Sequence, residues 1–456
     1  MQQQGRWIPA FAGTKVSGDR MNRSGQVERI TSMRTTCMRA SLLALALCAT
    51  TFATHAQDML IRNATVHTAS SQGTLQNTDV LVTDGVIRAI GNGLAAPANG
   101  QVIDAQGKPL TPTLFGGITE IGLEEVSGER TTVDQTLTLG RESKEMSVRP
   151  EFDVTLAFNP ASTLIPVNRI EGIGWTLLGV GSAEGGSIIG GQGAVVRLDG
   201  SADPIGPKVL FVDLGSDAAE LSGRSRAAQW MLLDQMIDEV RGRIAPDHRS
   251  AMLTPAGRAT LARYLDNGGR VVVQIDRAAD IRQLLRWSAR HKVRIAIAGG
   301  AEAWVMAPQL AAAGVPVFVD PLANLPADFD KIGAGMDSAA RLHAAGVAVG
   351  FTQAGDASHN ARKVRQLAGN AVAAGLPWED GLAGLTRVPA QAFGVDAGRI
   401  AVGQRADLVL WTGDPLDVAN LATQVWFGGR AIPMRSRQTE LRDRYLRPAV
   451  QADAAR

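Results

Sequence analysis

Arg270-Val-Val-Val-Gln-Ile-Asp276 and Val293-Arg-Ile-Ala-Ile-Ala298 are two apolar runs separated by a helical stretch, Ala279 to Arg290. A third run, Val315-Pro-Val-Phe-Val-Asp320, follows a helix starting at Glu302, and a fourth, Val347-Ala-Val-Gly-Phe351, follows a helix near 337–345. Each run is almost continuously apolar, the pattern of a strand covered on both faces. Strands alternating with helices predict parallel strands joined by right-handed crossovers. Earlier in the chain, Gly174-Trp-Thr-Leu-Leu-Gly-Val180 and Lys208-Val-Leu-Phe-Val-Asp213 read as strands of the same series. This pattern alone does not separate a closed barrel from an open sheet.

The flanks read differently. Met59-Leu-Ile-Arg-Asn-Ala-Thr-Val66 is a strand, and Asp79 to Ile90 is a hairpin turning at Asp84-Gly85, a strong turn signal. Gln101-Val-Ile-Asp104 adds a strand. Near the other end, Asp407-Leu-Val-Leu-Trp411 and Thr423-Gln-Val-Trp-Phe427 flank the turn Gly413-Asp-Pro415. Both ends are therefore β-rich around an α/β middle, and their economical arrangement is one small β domain. A charged tail begins near Arg435, a helix or a loose end.

The chain has 456 residues, 45% hydrophobic and 5% aromatic, with 50 glycines, enough for one large domain plus a smaller one rich in tight turns. The net charge is +2 and no basic stripe is present, which argues against a nucleic-acid partner. The run Ser41-Leu-Leu-Ala-Leu-Ala-Leu-Cys-Ala-Thr50 follows Arg34 and Arg39 and leads to Ala-Thr-His-Ala56. Positive flank, short apolar stretch and small-residue exit describe a secretory signal peptide; the run is too short to span a membrane. Leu47 before Cys48 argues against a lipoprotein signal, and a buried helix at 41–54 is the competing reading. The expected start is Met33 or Met38, with a periplasmic or secreted mature chain beginning near Gln57 and containing no cysteine. The expected divisions are 1–32, an extension; 33–56, the signal; 57–112, the N-terminal segment of the β domain; 113–394, the α/β region; 395–434, the C-terminal segment of the β domain; and 435–456, the tail.

Gly398-Arg-Ile-Ala-Val-Gly-Gln-Arg-Ala-Asp-Leu-Val-Leu-Trp411, with Gly413-Asp-Pro-Leu416, resembles a stretch of the amidohydrolase superfamily, in particular its imidazolonepropionase-like members. Val102-Ile-Asp104 with Leu110-Thr-Pro-Thr-Leu-Phe115, and Pro377-Trp-Glu-Asp380 with Thr386-Arg-Val-Pro-Ala390, extend the resemblance over nearly the whole mature chain. It implies an α/β fold: a (β/α)8 TIM-type barrel with a small β-sandwich formed by both termini. It also implies hydrolysis of a carbon–nitrogen bond by metal-activated water, normally with zinc or another divalent ion.

The metal ligands that this resemblance implies are missing. Where a His-x-His pair should end the first barrel strand stand Ile118 and Glu120; Gln274, Gly299 and Gln353 stand at the positions of two histidines and an aspartate. A tight zinc site needs three or four converging N, O or S ligands, so no metal and no cofactor is expected. The six histidines, His55, His67, His248, His291, His343 and His359, include no close-spaced pair. Paired carboxylates offer metal-free acid–base chemistry, with Glu120, Asp276 and Asp356 as catalytic candidates and Glu124-Glu125 beside them. Glu302, His359 and Arg362 are ligand-binding candidates, because loops after the strands line the pocket in barrel enzymes. Caps and salt bridges compete for the same side chains, among them an Asp276–Arg277 pair and a Ser358 N-cap. Gly181 to Gly193 is glycine-dense, lacks a phosphate-loop lysine, is followed by the strand Ala194-Val-Val-Arg-Leu198 and not by a helix, and reads as a β-rich loop over the mouth.

The expected function is an exported protein hydrolysing carbon–nitrogen bonds in a small amide, cyclic amide or peptide-like compound, with the usual metal reaction in doubt. The alternative is a non-catalytic relative that binds a small ligand or pairs with an active paralogue, as a homo- or hetero-oligomer. No membrane span is expected.

Overall fold

The computed structural model describes residues 58–137, 148–182, 186–355 and 357–446. The signal-like run and Asp356 lie outside the described residues. Two sheets of eight strands each organise the rest.

The first sheet draws on both ends of the chain. It holds β1 (Met59–His67), β2 (Thr74–Thr83), β3 (Val86–Gly91), β4 (Gln101–Asp104) and β5 (Pro109–Pro112). The turn joining β2 to β3 places Asp84 and Gly85 both at positive φ, the geometry that the Asp-Gly pair predicts. Strand β1 pairs with β4 along Met59–Arg62 and with β5 along Thr65–Val66. The C-terminal strands join at β5, where Leu408 lies opposite Pro112 and Leu410 opposite Leu110. The Trp411 indole N–H seals that pairing by donating to Thr111 Oγ1 at 2.8 Å.

The second sheet is the barrel. Its strands run β6 (Leu114–Thr119), β7 (Ile173–Leu178), β8 (Ile189–Arg197), β9 (Ile205–Asp213), β10 (Arg270–Ile275), β11 (Arg294–Gly299), β12 (Val317–Val319) and β13 (Val349–Phe351), neighbours in that order. The remaining strands of the first sheet are β14 (Leu408–Trp411), β15 (Ala422–Phe427) and β16 (Arg430–Ala431). The barrel is nearly closed. Its edges meet where Ile118 N–H donates to Thr352 Oγ1 at 2.9 Å. Phe115, Trp175, Phe318 and Phe393 are all buried and pack ring to ring inside, Phe115 on Trp175 at 4.8 Å and Phe318 stacked on Phe393 at 5.1 Å.

The apolar runs of the sequence become β10 to β13, all parallel, with the helix Ala278–His291 between β10 and β11 and the helix Ser338–Ala344 before β13. One strand departs from strict βα alternation. Strand β8 pairs antiparallel with both β7 and β9, and it contains Gly190-Gly-Gln-Gly193. That stretch of the glycine-dense segment is barrel wall, which corrects its reading as a loop over the mouth. The cause is close packing: a Cβ on Gly193 would stand 2.0 Å from the Leu178 carbonyl oxygen. The tail becomes the helix Arg437–Leu446, with no buried residue. No helix among the described residues is long and apolar enough to cross a membrane.

Candidate functional site

A cavity of about 200 Å3 opens at the carboxyl ends of the parallel strands. Ligands of open α/β sheets and barrels gather at this end, because the loops there vary without disturbing the sheet. Its polar lining is Glu120, Asp213, Gln274, Thr352 and Gln353; Ile118, Val180, Phe211 and Val272 supply apolar wall.

Sheet register sets the floor. Gln274 on β10 lies opposite Asp213 on β9 and Ala298 on β11. Opposed residues of parallel strands point to the same side, so the Asp213 carboxyl and the Gln274 carboxamide share one wall. Asp213 Oδ2 accepts from Ser182 N–H at 2.9 Å, and burial pushes this carboxyl above the usual aspartate range. Sequence reasoning places Asp213 at the end of a strand and does not name it as a site residue. The signal is present in the sequence, since a carboxylate ending an apolar parallel strand is placed at the functional face.

Glu120 follows β6 and is fixed by Ser358. The Ser358 hydroxyl donates to Glu120 Oε2 at 2.8 Å and accepts from Glu120 N–H at 3.1 Å. Ser358 is buried, so the carboxylate is held in one orientation at the rim. Gln353 follows β13, and its Oε1 is buried and has no hydrogen-bond partner among the described residues.

Gly299 explains the shape of the floor. A Cβ there would lie 2.5 Å from Gln274 Nε2 and 2.7 Å from Asp276 Oδ1. The space of a side chain at 299 is occupied by its neighbours, and the φ of +84° disfavours any L side chain.

The other candidates take structural positions. Asp276 Oδ1 accepts from Ala301 N–H at 3.0 Å, and Lys331 Nζ stands 3.7 Å from its other oxygen. Burial raises this carboxyl, with the Ala301 bond and Lys331 opposing. The expected Asp276–Arg277 pair does not form. Arg277 grips Asp280 at 2.8 and 3.0 Å, because the first helical turn presents that carboxylate to it. Glu302 accepts from Ala278 N–H and Gly333 N–H, both at 3.0 Å, clasping a helix start to a loop. Arg362 reaches Gln438 Oε1 at 2.6 Å and does not line the cavity. His359 is half-buried on the short helix Ala357–Asn360. Glu124 accepts from Gln135 Nε2 at 3.0 Å, while Glu125 accepts from Thr163 N–H and Oγ1, ahead of the helix Leu164–Arg169. Asp356 lies outside the described residues.

Among the described residues, no three His, Cys, Asp or Glu side chains converge as metal ligands. Among the described residues, two carboxylates, two carboxamides and a hydroxyl form the cavity's donor set, without imidazole or thiolate. That set does not match the nitrogen- and sulfur-rich sets that hold zinc tightly.

A larger groove of about 640 Å3 runs between Ala69–Ser71 and the helix Arg387–Phe393. Its arginines are already paired, Arg387 with Asp380 at 3.3 Å and Arg399 with Asp396 at 2.6 Å, and no candidate residue lines it.

Residues 294–432 match the amidohydrolase family. Over 59 residues the chain is 42% identical to the amidohydrolase tasK of Hapsidospora irregularis; this covers 12% of the chain and 6% of that much longer protein. The crystal structure of an amidohydrolase from Thermotoga maritima MSB8 superposes with a TM-score of 0.71 at 24% identity, covering 83% of this chain and all of that one. The chain therefore has the fold of that Thermotoga maritima amidohydrolase, and the match to the amidohydrolase family lies in its residues 294–432.

Proposed function

We propose that this is an exported amidohydrolase-fold protein whose barrel mouth binds a small amide- or peptide-like molecule. We further propose that hydrolysis of carbon–nitrogen bonds in this pocket runs on carboxylates and not on a tightly held zinc ion. The observation that carries the reading is the mouth cavity, with Glu120 and Asp213 in its polar lining. Their environments differ, and two carboxyls in unlike environments can divide acid and base roles. Asp213, kept protonated by burial to higher pH than an ordinary aspartate, suits proton donation to a departing nitrogen. Glu120, oriented by Ser358, suits removal of a proton from the attacking water. Gln274 and Gln353 can hold an amide by matching donors to acceptors.

A second reading has its own support. Carboxamides stand at 274 and 353, where the family resemblance implies catalytic ligands, and a carboxamide neither relays protons nor binds zinc well. On that reading the protein binds its ligand without turnover, alone or beside an active paralogue. We propose as well that the two termini form a β-sandwich and that the chain groups with the imidazolonepropionase-like members of the superfamily.

Elemental analysis of the purified mature chain, with amide and dipeptide hydrolysis assayed with and without chelator, separates the readings. Chelator-resistant turnover lost in Glu120→Gln and Asp213→Asn supports the carboxylate mechanism. Binding without turnover supports the second reading. Stoichiometric zinc with chelator-sensitive turnover overturns both.

A further inference from the structure

We propose that the end of the barrel opposite the mouth holds a second ligand site, which takes a small organic dianion, a phosphate ester or a dicarboxylate, between Arg270, Lys292 and Arg294. The site is independent of the reading of the mouth.

A cavity of about 470 Å3 opens at the amino ends of the parallel strands. Arg270 begins β10, Arg294 begins β11, and the two lie opposite each other in the parallel ladder. Opposed residues point to the same side, so two guanidinium groups share one wall. Lys292, the C-cap of the helix Ala278–His291, lines the same cavity. Among the described residues, no Asp or Glu lines it, and none of the three cations forms an ion pair with a carboxylate. Asp266, the carboxylate next to the lining residue Asn267, pairs instead with Arg241 at 3.9 Å.

Like charges facing each other across strands cost stability, which an anion between them would recover. Arg270 is oriented in advance. Its Nε donates to the Ala392 carbonyl at 3.0 Å and its Nη1 to the Ile295 carbonyl at 2.9 Å, while Nη2 makes no hydrogen bond among the described residues. Burial and the facing Arg294 lower its pKa to about 10, as a cation without a counter-charge requires. Two helix C-termini reach this end, those of Ala278–His291 and Ala307–Ala312. Each supplies roughly half a negative charge, so together they offset one cation of the three. The remaining surplus matches a dianion. Guanidinium forks fit the oxygens of phosphate and carboxylate alike, and lysine adds a point charge. Leu285, Ala289, Val293 and Ile295 supply apolar wall for an organic body behind the charged group.

Titration calorimetry on the full mature chain, at about pH 8, where a phosphate ester holds two charges, tests the site. Phthalate and phenyl phosphate are dianions on a ring; benzoate keeps the ring with one charge. At fixed ionic strength a dianion should bind more tightly than benzoate by roughly ten-fold or more, and less tightly as salt rises. The tighter of the two dianions names the source of the charge, phosphoryl or carboxylate. Arg294→Gln should erase the preference over benzoate and, without ligand, raise the thermal midpoint, because Arg270 no longer faces a like charge. Arg294 is exposed, so the variant should fold. Lys292→Gln is the second variant and should weaken dianion binding in the same way. Equal affinity of wild type for benzoate and both dianions overturns the proposal. So does dianion binding that both variants leave unchanged. Inorganic phosphate binding as tightly as phenyl phosphate overturns the organic body. A single-stranded oligonucleotide that displaces both dianions from wild type, and fails to bind Arg294→Gln, gives the surface to nucleic acid and overturns the small-ligand reading.

Discussion

Where the barrel meets the terminal sheet, carboxylates and guanidinium groups pair; at its mouth, Asp213 meets no cation among the described residues. At the junction Arg405 bonds Asp199 at 2.6 Å and Asp407 at 3.1 Å, and Asp407 also accepts from Gly428 N–H. Arg365 donates to the carbonyls of Pro415 and Asn420 and lies over the Trp411 ring. At the mouth, Asp213 has a backbone N–H and, among the described residues, no cation. The first arrangement ties the barrel to the terminal sheet through charged hydrogen bonds. The second leaves a half-buried acid without a cation among the described residues, and perturbed acids of this kind gather where a ligand or a reaction uses them.

The contrast breaks most visibly on the structural side. Glu239 is fully buried, accepts from Met252 N–H and Leu253 N–H at 2.7 and 3.0 Å, and pairs with Arg258 at 2.9 Å. Glu239→Ala should cost about 3–5 kcal/mol in denaturant unfolding, because it strands the Arg258 guanidinium. Arg365→Met should follow at about 2–3 kcal/mol, from the lost charged hydrogen bonds and ring contact, without changing ligand affinity at the mouth. An Arg365→Met protein that loses ligand affinity with its thermal midpoint intact would erase the distinction between the two regions.

Gly299→Ala lies between the two classes. The positive φ and the crowding against Gln274 and Asp276 should cost about 1–2 kcal/mol, and calorimetry should show weaker ligand binding because Gln274 must move. The smallest effect has the opposite sign. At neutral pH, Asp213→Asn should leave stability unchanged or raise it by about 1 kcal/mol. The folded state holds the Asp213 proton more tightly than the unfolded state does. Native stability is therefore lost as pH rises from the ordinary aspartate range through the raised value. The gain from Asp213→Asn should accordingly be present at neutral pH and vanish on acidification below that range. Thermal melts across pH check this; a gain that grows on acidification would contradict the assignment.

The barrel strands were legible because parallel strands covered on both faces require apolar runs, and Val271 to Ile275 and Ile295 to Ala298 are such runs. The pairing of the two ends was legible because both are strand-rich around an α/β middle, and the β2–β3 hairpin was legible from Asp84-Gly85. The second half of strand β8 was legible as the apolar run from Ala194, whereas its first half, Ile189 to Gly193, was not, since glycines admitted for close backbone approach dilute the apolar pattern that marks a strand. At the site, position along the strand was readable, which placed Glu120, Gln274 and Gln353 at the mouth. The partners of Asp276, Glu302 and Arg362 were not. Backbone N–H groups such as those of Ala301 and Gly333, and the Gln438 side chain, approach through tertiary packing and leave no trace in local spacing.

The interlock between residues 274 and 299 limits how this floor can change. Any side chain larger than hydrogen at 299 collides with the present Gln274 carboxamide, so 274 must shorten or turn aside first. Substituting an imidazole at 299 alone would drive its ring into Gln274 and Asp276 and jam the floor. An engineer working on this scaffold has to move both positions together, in that order.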